Sequence, residues 1–245
     1  MNLKKAALGA FERALGAKVV RPNRVGRIFE TVHLARFFDR FEVDCVFDVG
    51  ANFGQYAEMI RGLGYCGDIV SFEPIPEAAS ALRAKAQADP RWHIEEKALD
   101  ETVHEVAFNI MSSSQFSSLK LPSAADTAHF SDVNVPSRQI TVTTATLSDA
   151  FDAWQAKLGF RSPFLKMDTQ GNDLAVARGA GDRLSRFVGL QSELAIKKIY
   201  ERQPDFIESL QFYKAPASPS APSCRTMTGI SRCWSKWTAS CSATT

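Results

Sequence analysis

The chain has 245 residues, 45% of them hydrophobic and 23% charged, with a formal net charge of +2 at pH 7, the balance of an ordinary globular domain. That charge gives no electrostatic footprint for nucleic acid, and no apolar run reaches the roughly 20 residues that a membrane-spanning helix needs. The start, "MNLKKAALGAFERALGAKVV", carries charges where a signal peptide has its apolar core, so a cytoplasmic location is expected.

Residues 1–44 read as an N-terminal helical segment. Leu3, Ala7, Leu8, Phe11 and Leu15 share one helix face, with Lys4, Lys5 and Arg13 elsewhere. Packing on the domain is the plain reading, and a membrane-surface or partner helix the sharper one. From residue 45 short β-like runs alternate with helical stretches, the pattern of a mostly parallel sheet flanked by helices. "CVFDVG" is a strand buried on both faces, followed by a helix from about Gly54 to Leu63 that Gly64 stops. "DIVSFEP" is the second strand, "EAASALRAKAQA" the second helix and "WHIEEKAL" the third strand.

"HEVAFNIM" and "RQITVTTATL" read as strands with no helix between them, which predicts an antiparallel addition and a long loop near the site. Alternation resumes with "PFLKMD" as a strand, "DLAVARGAGDRL" as a helix, "FVGLQSEL" as a strand and "QPDFIESLQFY" as a helix. The five cysteines form no C-x-x-C pair and have no histidine at ligand spacing, so neither a zinc site nor a disulfide framework is expected. Histidines at 33, 93, 104 and 129 are scattered, and only His129, in the long loop, is placed to approach a substrate.

The turn after the first strand carries the chemistry. Gly50 and Gly54 permit a sharp bend and close approach to a ligand, and the helix beginning there aims free N–H groups at it. NAD, another nucleotide and S-adenosylmethionine all fit so far. The G-x-x-x-G spacing departs from the dinucleotide G-x-G-x-x-G, and Asp48 would repel a pyrophosphate. It would attract the ammonium and sulfonium of S-adenosylmethionine. Glu73, 19 residues past Gly54, is placed to accept hydrogen bonds from ribose hydroxyls of either ligand.

The stretches "VFDVGANFGQYAEMIRGLGYCGDIVSFEPIPEAASAL", "SSLK", "FLKMDTQGNDLAVARGA" and "LQSELAIKKIYERQPDFIESL" together resemble the FkbM-type S-adenosylmethionine-dependent methyltransferases over about residues 30 to 213. The resemblance implies a Rossmann-like class I methyltransferase fold, α/β, with seven strands in the order 3-2-1-4-5-7-6. It also implies methyl transfer to a hydroxyl oxygen of a sugar, glycan or secondary metabolite. Asp48, Gly50, Asn52 and Gly54 match the cofactor loop, Glu73 the ribose acid, and Ala98 and Leu99 the segment flanking the adenine. Lys166, Asp168, Gln170 and Gly171 match the motif ending the fourth strand, and Glu193 the acid ending the fifth. Asp173 stands where other members often have Glu.

Methyl transfer from a sulfonium needs an in-line acceptor oxygen and a base for its proton. Asp168, a strand-end acid, is the first choice and Glu193 the second; Lys166 holds an acceptor or forms a structural ion pair. Asp168, Asn172 and Asp173 offer oxygen ligands for magnesium, but helix capping by Asn172 and Asp173 is simpler, so no metal is assigned. Ser117 and Ser118 are placed to touch the cofactor or to form a solvated turn. A catalytically dead scaffold and an NAD-dependent oxidoreductase remain the alternatives.

Residues 214–245 change character to a Pro-, Ser- and Thr-rich text without apolar period, which reads as disorder. Moving the reading frame back one base lets the stretch from Cys224 encode a strand, turn, strand pattern that resembles the usual end of the family. The single codons of Met227 and Trp237 force an aspartate after each. A frameshift near Ala215 is therefore expected to have replaced the last two strands.

Overall fold

A computed structural model of the protein describes residues 25–111, 119, 136–194, 204–214 and 225–226. The expected helix over Leu3–Leu15, the passage with Ser117, Ser118 and His129, and the tail apart from Lys214, Arg225 and Thr226 lie outside the described residues.

Helix α1 (Val25–Arg40) precedes strand β1 (Cys45–Val49), α2 (Gln55–Gly62), β2 (Asp68–Phe72), α3 (Pro76–Ala86) and β3 (Trp92–Glu95). Three strands follow, β4 (Ala98–Asp100), β5 (Glu105–Met111) and β6 (Pro136–Thr146), and then α4 (Leu147–Leu158) and β7 (Pro163–Met167). The described chain closes with α5 (Asp173–Gly179), a 3-10 turn (Gly181–Arg186), β8 (Gly189–Ser192), α6 (Phe206–Lys214) and β9 (Arg225–Thr226). The main sheet runs β3-β2-β1-β7-β8-β9 with every pair parallel. β1 leads to β2 on one side and has β7 on the other, so the topological switch point lies between β1 and β7.

Strand side chains alternate between two covered faces. Cys45, Phe47, Val49, Val70, Phe72, Leu165, Met167 and Leu190 pack under α4, α5 and α6 through Leu147, Phe151, Val176, Ala177 and Tyr213. Val46, Ile69, Phe164 and Trp92 pack under α1, α2 and α3 through Leu34, Phe37, Phe38, Ala57, Ile60 and Leu82. Leu34, Phe37 and Phe38 follow the i, i+3, i+4 spacing that puts a helix's apolar stripe on a sheet. At the far end of the sheet, Asp44 accepts hydrogen bonds from the N–H groups of Arg161 (2.7 Å) and Ser162 (2.9 Å), tying the starts of β1 and β7 together. Among the described residues no helix is long and apolar enough to cross a membrane.

Several expectations change. "WHIEEKAL" is two strands in different sheets, because β4 leaves β3 to pair with β6. The antiparallel addition is present as β5 against β6. Helix α4, absent from the sequence reading, starts directly from β6: Thr146 ends the strand and caps the helix, its Oγ1 accepting from the Asp149 N–H at 3.1 Å. "DLAVARGAGDRL" is a short helix and a 3-10 turn, broken at Ala180. At the edge beyond β8, where two full strands are expected of the family, the described structure has the two-residue β9, pairing Gly189 with Arg225 and Leu190 with Thr226.

Candidate active site

A row of polar side chains crosses four strands just inside their carboxyl ends. Asp48 lies in register with Ser71 on β2 and with Lys166 on β7, and Lys166 with Gln191 on β8. Each is the penultimate residue of its strand, so the parallel register alone aligns them on the α1–α3 face. Trp92 Nε1 donates to Ser71 Oγ at 2.9 Å, Tyr56 Oη donates to Gln191 Oε1 at 3.1 Å, and Gln191 Nε2 donates to Glu30 Oε1 at 3.0 Å.

Asp48 is 0% exposed and Lys166 4%. Lys166 Nζ sits 2.7 Å from Asp48 Oδ1, yet neither Asp48 oxygen has a hydrogen bond of good geometry among the described residues. The contact is thus a Coulombic pair in a poorly solvated place. This corrects the sequence reading of Asp48, whose charge is matched by Lys166 within the protein and does not by itself draw in a cation. Of the two readings of Lys166, the structure has the ion pair, and the ammonium also donates to the carbonyl oxygen of Gly50 at 3.1 Å, on the glycine turn after β1.

That turn is built from left-handed residues: Gly50 (φ 73°), Asn52 (φ 51°) and Gly54 (φ 85°). The N–H groups of Gly50 and Ala51 both donate to the Phe72 carbonyl at 3.1 Å, which locks the turn against the end of β2. Asn52 N–H donates to Glu73 Oε2 at 2.8 Å and Ile75 N–H to Glu73 Oε1 at 3.0 Å. Burial pushes the Glu73 carboxyl up to about 7, against the lowering effect of the Ile75 and Asn52 N–H groups and of Lys166.

The two glycines answer to protein packing as well as to any ligand. A Cβ at Gly50 would overlap the Asp168 carbonyl oxygen, and one at Gly54 would press on Leu82 and Trp92 at 2.8 Å. Gly50→Ala therefore combines a left-handed φ with a backbone clash, and a loss of at least about 1–2 kcal/mol is expected in urea unfolding. An unchanged midpoint would remove this account of the turn. Ala98 and Leu99 are both buried in β4, and the Leu99 side chain joins the main core with Val176 and Ala177, so it is not presented to an adenine ring.

Across the switch point, Asp168 follows β7 and its Oδ1 accepts from Gln170 Nε2 at 2.6 Å, with Gln170 itself left-handed (φ 53°). Asp173 is buried, and its Oδ1 accepts from the Thr169 N–H (2.8 Å) and Oγ1 (2.5 Å) while Oδ2 accepts from Ser192 Oγ (2.8 Å) and the Glu193 N–H (3.0 Å). Burial raises its carboxyl above the ordinary range, first against the Thr169 donors. Tyr213 Oη on α6 donates to Ser192 Oγ at 3.2 Å. Asp173 thus staples the turn carrying Asp168 to the turn carrying Glu193. The capping reading is corrected: Asn172 makes no side-chain cap bond and donates instead to Asp100 Oδ1 at 3.2 Å, and Asp173 bonds back to Thr169.

The sequence reading thus named the acids and glycines that meet here and missed Ser71, Tyr56, Gln191, Ser192 and Tyr213. The available signal was the shared offset: "IVSF", "VFDV", "FLKM" and "GLQS" each carry a polar residue at a fixed distance from a strand end.

A parallel sheet flanked by helices, with a glycine turn at its switch point and acids just past its strand ends, is the architecture of a class I methyltransferase. The family model described as Methyltransferase FkbM domain matches residues 48–215, and the chain belongs to that family. Comparison with curated proteins and with solved structures gives no match.

Proposed function

We propose that the chain is an S-adenosylmethionine-dependent methyltransferase that methylates a hydroxyl oxygen of a sugar, glycan or secondary metabolite in the cytoplasm, with no nucleic-acid partner. The observation that carries this reading is the charge around the crevice. Glu73, Asp168 and Glu193 stand just past the ends of β2, β7 and β8, so acids border the turn after β1 from three strands. A donor bearing an ammonium and a sulfonium suits that setting, and a diphosphate meets like charge.

In this reading Asp48, Gly50, Asn52 and Gly54 form the donor turn, Glu73 accepts the ribose hydroxyls, and the backbone of Ala98 and Leu99 borders the adenine. Bound S-adenosylmethionine supplies a methyl group already activated by positive sulfur. The protein's own part is to hold the acceptor hydroxyl in line and to take its proton, a task that falls to Asp168, whose carboxylate Gln170 orients. Glu193, on the neighbouring strand end, is the second base.

Calorimetry on the full chain tests the reading: S-adenosylhomocysteine is expected to bind and NADH not to, and the opposite result rejects it. One observation favours the scaffold alternative, namely that the family match stops at residue 215 and the described sheet beyond β8 holds two residues. On that alternative the chain binds S-adenosylhomocysteine without transferring methyl groups, and a chain encoding the neighbouring frame from Ala215 onward regains transfer.

A further inference from the structure

The chemistry of a cofactor turn is usually sought on the turn itself, but here a side chain from another strand holds it. We propose that Lys166, on β7, is a positioning residue for the cofactor turn after β1, and that Tyr56 and Gln191 extend its hold to α1. The inference rests on the reading of that turn as the ligand site.

Several contacts surround one ammonium. Lys166 Nζ lies 2.7 Å from Asp48 Oδ1, 3.1 Å from the Gly50 carbonyl oxygen and 3.5 Å from the Val49 carbonyl oxygen. The Tyr56 ring stands 5.4 Å from it, within cation–π range. The two carbonyls belong to the residues at which β1 ends and the left-handed bend begins. An ammonium, with donors and no acceptor, suits this corner, where it meets a carboxylate as a charge and two carbonyl oxygens as a hydrogen-bond donor. Gly50 also has to pass over the Asp168 carbonyl without a Cβ, so its carbonyl direction is fixed from below by Lys166 and its Cα from the side by β7.

The hold continues outward. Tyr56 is on the first turn of α2, the helix that opens at the cofactor turn, and its hydroxyl donates to Gln191, which in turn donates to Glu30 of α1. One polar path thus joins the β1 turn, the start of α2, β8 and α1. Lys166 is therefore assigned to the donor side of the crevice, where it touches protein and neither reacting atom.

Removing the ammonium alone would strand the buried Asp48 charge, so the test uses the pair Asp48→Asn with Lys166→Met, and the same Asp48→Asn with Lys166→Gln. The glutamine retains N–H donors for the carbonyl oxygens. Phe164→Leu, two residues earlier on the same strand and face, serves as a control for plain loss of packing. The full chain is titrated by calorimetry with S-adenosylhomocysteine and, in parallel, with NADH. Affinity for whichever ligand the wild type binds is expected to fall at least tenfold in the Lys166→Met pair, to recover in part in the Lys166→Gln pair, and to stay within about twofold in Phe164→Leu at matched melting temperature. Equal affinity in the two pairs and the control would overturn the assignment. Binding of NADH in place of S-adenosylhomocysteine would reject the proposed function while the variant series still reads the role of Lys166, and a wild type that binds neither overturns both.

Discussion

Replacing Lys166 alone by methionine is expected to lower folding stability by about 3–5 kcal/mol, the usual cost of leaving one member of a buried ion pair without its partner. Asp48 is fully buried and gains no solvent when the ammonium goes. Its carboxylate is then left without a counter-charge in a low-dielectric place, which is costly. Against a total of about 5–15 kcal/mol for a typical domain, such a loss is visible in urea unfolding as a large drop in midpoint. Asp48→Asn in the same chain removes the stranded charge and is expected to return more than half of the loss. A Lys166→Met chain within about 1 kcal/mol of wild type would mean that water or another cation reaches Asp48.

The second expectation concerns pH. With its carboxyl at about 7, Glu73 changes charge across the physiological range. If its anion accepts the ribose hydroxyls, affinity for S-adenosylhomocysteine follows the ionised fraction and falls about tenfold from pH 8 to pH 6. The sign for folding is opposite. From about 4.5 to about 7 the unfolded chain has released a proton that folded Glu73 keeps, so this group makes stability fall as pH rises through that window and contributes no further slope above it. Glu73→Gln is expected to flatten the binding profile and to remove that share of the unfolding slope, although the amide keeps only one acceptor for the Asn52 and Ile75 N–H groups. Parallel binding profiles in the two chains would show that Glu73 does not titrate in contact with the ligand.

Much of the sheet was legible because its strands are short apolar runs bounded by turn residues, as in "CVFDVG" and "PFLKMD". The alternation placed Asp48, Glu73, Asp168 and Glu193 at strand ends, while the strand order, and with it the switch point, came from the family resemblance. Helix α4 was not legible because β6 runs into it with no intervening loop, and Thr146 serves both elements. Its T-x-x-D cap, "TLSD", was the signal that went unused. The partners of the acids were hidden for a different reason. Asp48 and Lys166 are 118 positions apart in the chain, and only the register of β1 against β7 brings them together. A charge read in one strand therefore says little about the field at that strand's end until its neighbours are known. The same holds for Asp173, which a local reading assigns to its own helix and the fold assigns to Ser192 and Glu193.

Tyr213 is the last side chain that the described structure brings to the crevice, through Ser192, and it stands two positions ahead of Ala215. A coding slip at Ala215 would thus spare Asp168 and Glu193, the bases proposed for the reaction, and weaken only the scaffolding at the sheet's margin. Such a lesion resembles a building that has lost an outer wall with its machinery still bolted in place, and its symptom would be a short working life in the cell before any defect in the chemistry.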